Sequence, residues 1–532
     1  MTLAYMKRAA AGLAVLFASA ACDSLNIQNP NAPDATRALS DPNGVQAVAG
    51  GTLRTWFNTT QAMNSAGPLV TMADSYTASW NNWNMRLYSS GGIGDPTGGK
   101  RQSWQNDPAA AARTSIETLW YGYYAGLSSA NDVVKAIRTG KLVIVDAANT
   151  KMVETIAVLA QGMMLSSIAL NYDQGFVVDE TTDLASLSFQ PRAALRDAAL
   201  KKLAEAATLA GANSFTTPAS WTNGTAYTNT EIAKLANTFS ARTIAYYPRN
   251  GVENTAADWA SVVKFASTGI SAGGRDFQFT GDGCNNFCDE LKLWSNDITT
   301  MRVDTRVTNL IDPVTQKHPW PDPTGNPKPN SADKRMGNGD NGLDFRWDAS
   351  QIFRPARGQY HQSEIGHIRY EYASFNDPAG TGGGFGIVPV ISKAENDLLW
   401  SEGLIRSGGD LAKAATLINN TRVTRGGLPA ASAADGTAGL LTKLQYEQEI
   451  EEMGLGPQPY FNRRRIDGLQ VQTPRQMPVP AKELGVLQKE FYTFGGDANP
   501  SGMNRVTDGD VENVVTIWNK IYASHSRTRS HN

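Results

Sequence analysis

A mainly α-helical chain, with antiparallel helix pairs stacked as a solenoid around one loop-rich interruption, is what this sequence predicts. Three observations carry that reading. Apolar residues recur at three- and four-residue spacing along most of the chain. Capping residues and prolines mark where those runs start and stop. Residues 271–388 break the rhythm: six prolines fall between Pro313 and Pro329, and glycines cluster at 337–342 and 380–386.

The elements follow in order. A helix is predicted near 116–138. Met152, Ile156, Leu159 and Met163 then recur at helical spacing and predict a packing face. Leu195, Ala199, Leu203, Ala206 and Leu209 repeat the pattern after Pro191, a good first-turn residue. Thr228 and Glu231 have the spacing of a capping box, followed by Ile232, Leu235, Phe239 and Tyr246 until Pro248 ends the run. A helix is expected over 255–268. The segment 271–388 reads as long loops with short strands, and an interruption of that length is more often functional than decorative. Ser392 and Glu395 predict a second capping box, opening a helix that stops at Gly408-Gly409. Leu411, Ala415 and Ile418 predict the next helix, ending at Gly426-Gly427; two more are expected near 440–452 and 511–523. Short links imply neighbouring antiparallel helices, although no strict 34-residue repeat can be read.

Composition limits the function classes. Of 532 residues 41% are hydrophobic, enough for a large core. Forty-eight basic residues stand against 50 acidic ones, so no basic excess exists to displace counterions from a nucleic acid, and none is expected as a partner. Three cysteines exclude a disulfide-dense scaffold. Lys7 and Arg8, the uncharged run Ala9 to Ala21, and then Cys22 read as a secretory signal over 1–21. Ser19-Ala20-Ala21-Cys22 looks like a lipobox, which makes Cys22 the expected lipidation site; ordinary cleavage near Ala21 is the other reading. No further run is expected to reach transmembrane length. In an oxidising compartment Cys284 and Cys288 can form a local disulfide.

Several motifs fail on inspection. Gly94, Gly99 and Lys100 have P-loop spacing, but Arg101 stands where a Ser or Thr should hold magnesium. His361, Glu364 and His367 diverge on a helix, and on a strand Glu364 points away from the histidines, so a structural role is expected. Asp340, Asn341 and Asp344 lack the twelve-residue calcium-loop pattern. No nucleophile elbow or catalytic Ser/His motif occurs. No metal, cofactor or catalytic residue is predicted.

Loop aromatics say more. Trp80-Asn81-Asn82-Trp83-Asn84 combines flat apolar faces with amide donors and acceptors, and Trp294, Trp320 and Trp347 lie in the loop-rich segment. An indole stacks on the apolar face of a sugar while amides pair with its hydroxyls. Trp80, Asn82, Trp83, Trp294 and Trp320 are therefore the expected ligand-binding residues. Taken singly, each tryptophan is more simply read as pinning a loop to the helical body.

Several segments together resemble the SusD/RagB family of nutrient-capturing surface lipoproteins. Cys22-Asp23-Ser24-Leu25-Asn26 and Asn29-Pro30-Asn31 are similar to its mature start. Asn43-Gly44-Val45 through Leu53, and Trp120 to Asn131, resemble its first helices. Ser392-Lys393-Ala394-Glu395, Leu417 to Arg422 and Arg425-Gly426-Gly427-Leu428-Pro429 are the strongest match. Glu447 to Ile450, Arg463 to Arg465, and Met477-Pro478-Val479-Pro480 through Leu484 complete the order. Asn462 stands where the family usually has Asp, and Ser19 replaces the aliphatic lipobox residue. The resemblance implies a SusD-like solenoid of tetratricopeptide-like helix pairs under a loop-rich ligand face. It divides residues 22–532 into a helical part to about 270, the loop-rich insertion at about 271–388 and a C-terminal helical part from about 389. It further implies a lipid-anchored protein at the outer membrane that captures a glycan, or in some members a peptide, for a TonB-dependent barrel. The alternative is a secreted carbohydrate-active enzyme with an aromatic cleft.

Overall fold

The computed structural model describes residues 39–507, apart from 79, 90–99, 297–300, 320–326, 349–360, 371–382 and 504–505. The signal segment, Cys22, Trp320 and the helix expected at 511–523 lie outside the described residues.

Asp41 accepts the amides of Asn43 and Gly44 and so starts α1 (Pro42–Thr60), with proline in its first turn. After it come α2 (Met63–Met72), the strand β1 (Tyr76–Ala78) and the short α3 (Met85–Ser89). The body proper is built from α4 (Thr114–Arg138), α5 (Ala147–Asn171), α6 (Arg192–Ala212) and α7 (Asn229–Tyr246). Each packs on the next, and α1 lies across α4 and α5. The capping box at α7 is complete: the Thr228 hydroxyl takes the Glu231 amide, and Glu231 takes the Thr228 amide. Asn250 and Asp258 each cap a helix: a short α8 (Gly251–Thr255) precedes α9 (Trp259–Ser267), which is the helix predicted at 255–268.

The Met152–Met163 stripe widens into something the periodicity did not show. α5 is buried almost all round, with a mean hydropathy of 1.6 over its most apolar stretch, so by length and composition it could cross a membrane. That corrects the expectation that no further run reaches such length. Here α5 is the central core helix, held between α4 and α6. Gly162 permits the contact with α6: an added Cβ would meet Leu203 Cγ at 2.7 Å. At its C-terminal end, the buried Arg249 and Arg464 donate to the carbonyl of Leu170, and Arg249 also serves Ala169 and Tyr172. These are carbonyls that the helix itself cannot satisfy.

The loop-rich segment leaves the body after α9. It contains β2 (Phe277–Asp282), α10 (Glu290–Ser295), β3 (Met301–Val303), α11 (Thr305–Ile311), β4 (Phe345–Trp347), β5 (Ile365–His367) and β6 (Phe385–Ile391). β2 and β6 pair antiparallel, Phe279 opposite Val388, and close the neck of the insertion. Phe277 and Phe279 face the main core, with half-buried Gln278 and Thr280 between them, the period of a one-sided strand. β1 pairs with β3, and β4 with β5. The chain returns as α12 (Lys393–Arg406), which packs on α9. α13 (Leu411–Arg422), α14 (Gly436–Glu451), α15 (Gln458–Arg465) and α16 (Ala481–Val486) follow.

At α12 only half of the predicted capping box exists. Ser392 accepts the Glu395 amide, but the Glu395 carboxylate is buried against Arg242 and the Tyr246 hydroxyl. A buried guanidinium competes better for a carboxylate than a terminal amide does. Met63, Val70, Tyr76, Leu291, Val303, Val307, Phe345, Ile365 and Ile450 form a small second core, where the insertion meets α2 and α14.

Candidate functional site

The site grows from the end of β1. Four residues beyond it the chain enters a tight turn, Asn82–Asn84, in which Trp83 and Asn84 both have left-handed backbone, at φ 50° and 64°. A bulky residue there is strained, and such strain persists only where its surroundings enforce it. Here the enforcement is visible. The Asn84 amide bonds Asn81 O at 3.1 Å, and its buried side chain donates to Gln102. Trp83 is thereby pressed onto the rim of the second core, next to Trp294.

Trp294 comes from α10, whose cap is the buried Asp289 accepting the Lys292 amide at 2.7 Å. Its ring centroid lies 5.3 Å from that of Trp83 and 6.5 Å from that of Trp80, the latter edge to face. Trp80 is 46% exposed, and Asn81 and Asn82 are exposed beside it. Four of the five predicted ligand residues, Trp80, Asn82, Trp83 and Trp294, thus sit on one ridge, although Trp294 is far away in sequence. Trp347 goes elsewhere: it rests on the second core with Lys328 Nζ 5.6 Å above its ring. Cys284 and Cys288 are joined by a disulfide in the turn after β2. Geometrically the ridge offers indole faces at steep mutual angles and a wet rim of amides. Indole faces can stack, and the amides beside them can hydrogen-bond.

No family model matches the sequence, and neither does any curated protein. Solved structures do match the fold. A SusD superfamily protein of Parabacteroides distasonis aligns at a TM-score of 0.57 with 11% identity, over 83% of this chain and 97% of the other. One from Bacteroides vulgatus gives 0.53 with 15% identity, over 84% and 97%. A SusD-like carbohydrate-binding protein of Bacteroides fragilis gives 0.54 with 12% identity, over 88% and 94%. The fold is that of the SusD superfamily.

On this SusD fold the other sequence candidates scatter. Lys100 pairs with Asp497 at 3.0 Å and Arg101 is buried against Asp74, so neither faces a phosphate; Gly94 and Gly99 lie outside the described residues. Asp340 turns outward to Lys328, whereas Asp344 turns inward to Arg425 at 2.6 Å. Of the histidine trio, His367 Nδ1 meets the Tyr76 hydroxyl at 2.7 Å, and Glu364 pairs with the buried Arg302 at 3.1 Å. His361 joins neither. It lies with His318 and Asp304, a grouping that no local spacing announces. Burial, with His361 alongside, pushes His318 down to about 4, so its ring is neutral at pH 7. Burial also raises Asp304, with the charge of Asp74 adding to it.

A close pair of carboxylates does exist in this SusD fold. Glu395 and Glu452 both accept from the Tyr246 hydroxyl, at 3.0 and 3.1 Å. Burial raises both; the charge of Glu395 adds to the rise at Glu452, and Arg242 opposes the rise at Glu395. Both side chains are fully enclosed, so no sugar reaches them.

Proposed function

We propose that this protein is a SusD/RagB-type surface lipoprotein that binds a glycan without cleaving it and delivers it to a TonB-dependent outer-membrane barrel. The convergence of Trp80, Trp83 and Trp294 beside exposed Asn81 and Asn82 carries this reading. Indoles stack on the apolar faces of sugar rings, and amides pair with their hydroxyls. The SusD fold supports it, and at least one protein of that fold is a carbohydrate binder. Enclosure of the Glu395/Glu452 pair favours binding over hydrolysis, because glycoside cleavage needs two carboxyl groups flanking an accessible bond. Cys22 is the proposed acylated N-terminus, placing the protein on the outer membrane. Each buried methylene adds about 0.8 kcal/mol, so two or more acyl chains hold firmly. A tethered binder has no path across the membrane, hence the partner barrel.

Sugars give up well-hydrated hydroxyls on binding, so net affinity should be micromolar to millimolar, roughly 4–8 kcal/mol. Incubation of the purified protein with a defined glycan panel tests the reading. Retention of intact glycan is expected; release of shortened products would establish the carbohydrate-active enzyme instead. A Cys22→Ala change should move the protein from membrane to soluble fractions. A mild-detergent pull-down should recover a barrel with the unaltered protein.

A further inference from the structure

We propose that Asp304, His318 and His361 form a binding site for one divalent transition-metal ion of the zinc type. Their ligand atoms all lie within 4.8 Å of one another. Asp304 Oδ1 is 3.8 Å from His318 Nδ1, and Oδ2 is 3.7 Å from His361 Nδ1. The two imidazoles meet nearly edge to face, with centroids 5.6 Å apart. Tetrahedral zinc with bonds of roughly 2.1 Å holds its ligands about 3.4 Å apart, so the three side chains need to close by only small rotations. Two imidazoles and one carboxylate are a donor set that zinc accepts, with a fourth position left for water.

The backbone fixes the three donors independently of any ion. Asp304 donates its amide to Ser75 O and forms an antiparallel bridge with Gln362, which places His361 beside it. Asp304 also caps α11 through Oδ1, leaving Oδ2 without a hydrogen bond among the described residues. His318 arrives on the turn after α11, where Asn309 donates to Gln316 O at 2.7 Å and Gln316 to Pro327 O at 2.8 Å. The Thr305 hydroxyl lies 3.0 Å from His318 Nδ1 and is the contact that an ion at that nitrogen would replace.

Charge around the group permits a cation. Arg101 is paired with Asp74, and Arg306 and Arg463 share Glu449 at 2.7 and 3.4 Å. Each nearby guanidinium therefore has a carboxylate other than Asp304. Asp304 and His361 are buried, whereas the His318 side chain is 19% exposed and gives an access route. An ion held here would meet Asp304 Oδ2, which accepts no hydrogen bond among the described residues. It would tie the segment after α11 to the end of β3, next to the sheet that leads into the tryptophan ridge.

The full-length mature protein, stripped with chelator, should be titrated with Zn2+ and assayed for bound metal after gel filtration. One equivalent per chain is expected. His318→Ala, chosen because that side chain is partly exposed, should lower the affinity at least a hundredfold. A His525→Ala/His531→Ala variant, which removes the other histidines outside the cluster and His367, should bind as the wild type does. X-ray absorption of the Zn2+-loaded wild type should show two imidazoles on the ion whether or not the His318 variant folds. Absence of a stoichiometric ion, unchanged affinity in His318→Ala, loss of binding in the tail variant, or fewer than two imidazoles would each overturn the site.

Discussion

The helical body and the insertion of residues 271–391 are held together by different forces. In the body, α4 to α7 pack each on its neighbour in sequence, mainly through apolar faces, with a few polar contacts such as Arg138–Glu154 and Gln161–Asn131 between them. The insertion has short strands, a small second core, and buried charge. Arg335 is fully buried and bonds Asp333, Glu447 and Glu451, while Arg425 and Arg369 reach Glu451 as well. Arg306 pairs with Glu449 and Arg302 with Glu364. Most of these acids stand on α14, so the insertion is pinned to the C-terminal helices by a few non-local ion pairs. Apolar packing spreads its energy over many contacts. A buried ion pair concentrates it, because losing one partner leaves a charge without water or counter-charge.

The comparison should break first at Arg335. Arg335→Ala removes the nearest cation from the buried Asp333 and Glu447, while Glu451 keeps Arg369 and Arg425, and should cost about 3–5 kcal/mol. Limited proteolysis should then cut within the insertion before the body opens. Simultaneous digestion of both would show that the two regions unfold as one unit.

Next in size is an acid effect in the C-terminal helices. Burial acts to raise Glu402, but Arg465, at 2.6 Å, prevails and holds it at about 2, below its ordinary 4.5. A depressed acid contributes its stability above the unfolded value and loses it as pH falls through the folded one. The loss therefore runs from about pH 4.5 down to about pH 2, roughly 3 kcal/mol in all. Denaturant midpoints measured across that range should fall steeply in the wild type and less so in Glu402→Gln, which starts lower. Equal slopes would remove Glu402 from the account.

Gly162→Ala probes the apolar side of the comparison. The new methyl would press on Leu203 across the α5–α6 contact, and overpacking of this kind costs about 1–3 kcal/mol. Differential scanning calorimetry should show one lowered transition of unchanged shape, because the strain is inside the body. Stabilisation would mean that the helices slide apart freely.

The smallest expected change in stability is at Trp80. Its ring is half exposed, so Trp80→Ala should leave the melt nearly unchanged while weakening glycan binding about tenfold, or 1.4 kcal/mol. Trp83→Ala should lower both, since that ring also rests on the second core. A lowered melt with intact affinity in both variants would make the ridge mere packing.

Periodicity made the body legible. The faces of α5, α6, α7 and α13 follow from residues three and four apart, and the box at Thr228 and Glu231 closes within one turn of chain. Those signals are local, and the sequence alone determines them. The Pro- and Gly-rich composition of 271–388 likewise settled that no long helix could form there. The candidate site was legible only as a set of residue types. Trp80, Trp83 and Trp294 meet because β1 pairs with β3, directly after α10, which no spacing encodes. Glu395 left its capping box for Arg242, and His361 left the His367 spacing for His318 and Asp304, for the same reason. A buried charge or ring takes the partner that long-range closure brings to it, and only the tertiary structure decides which partner that is.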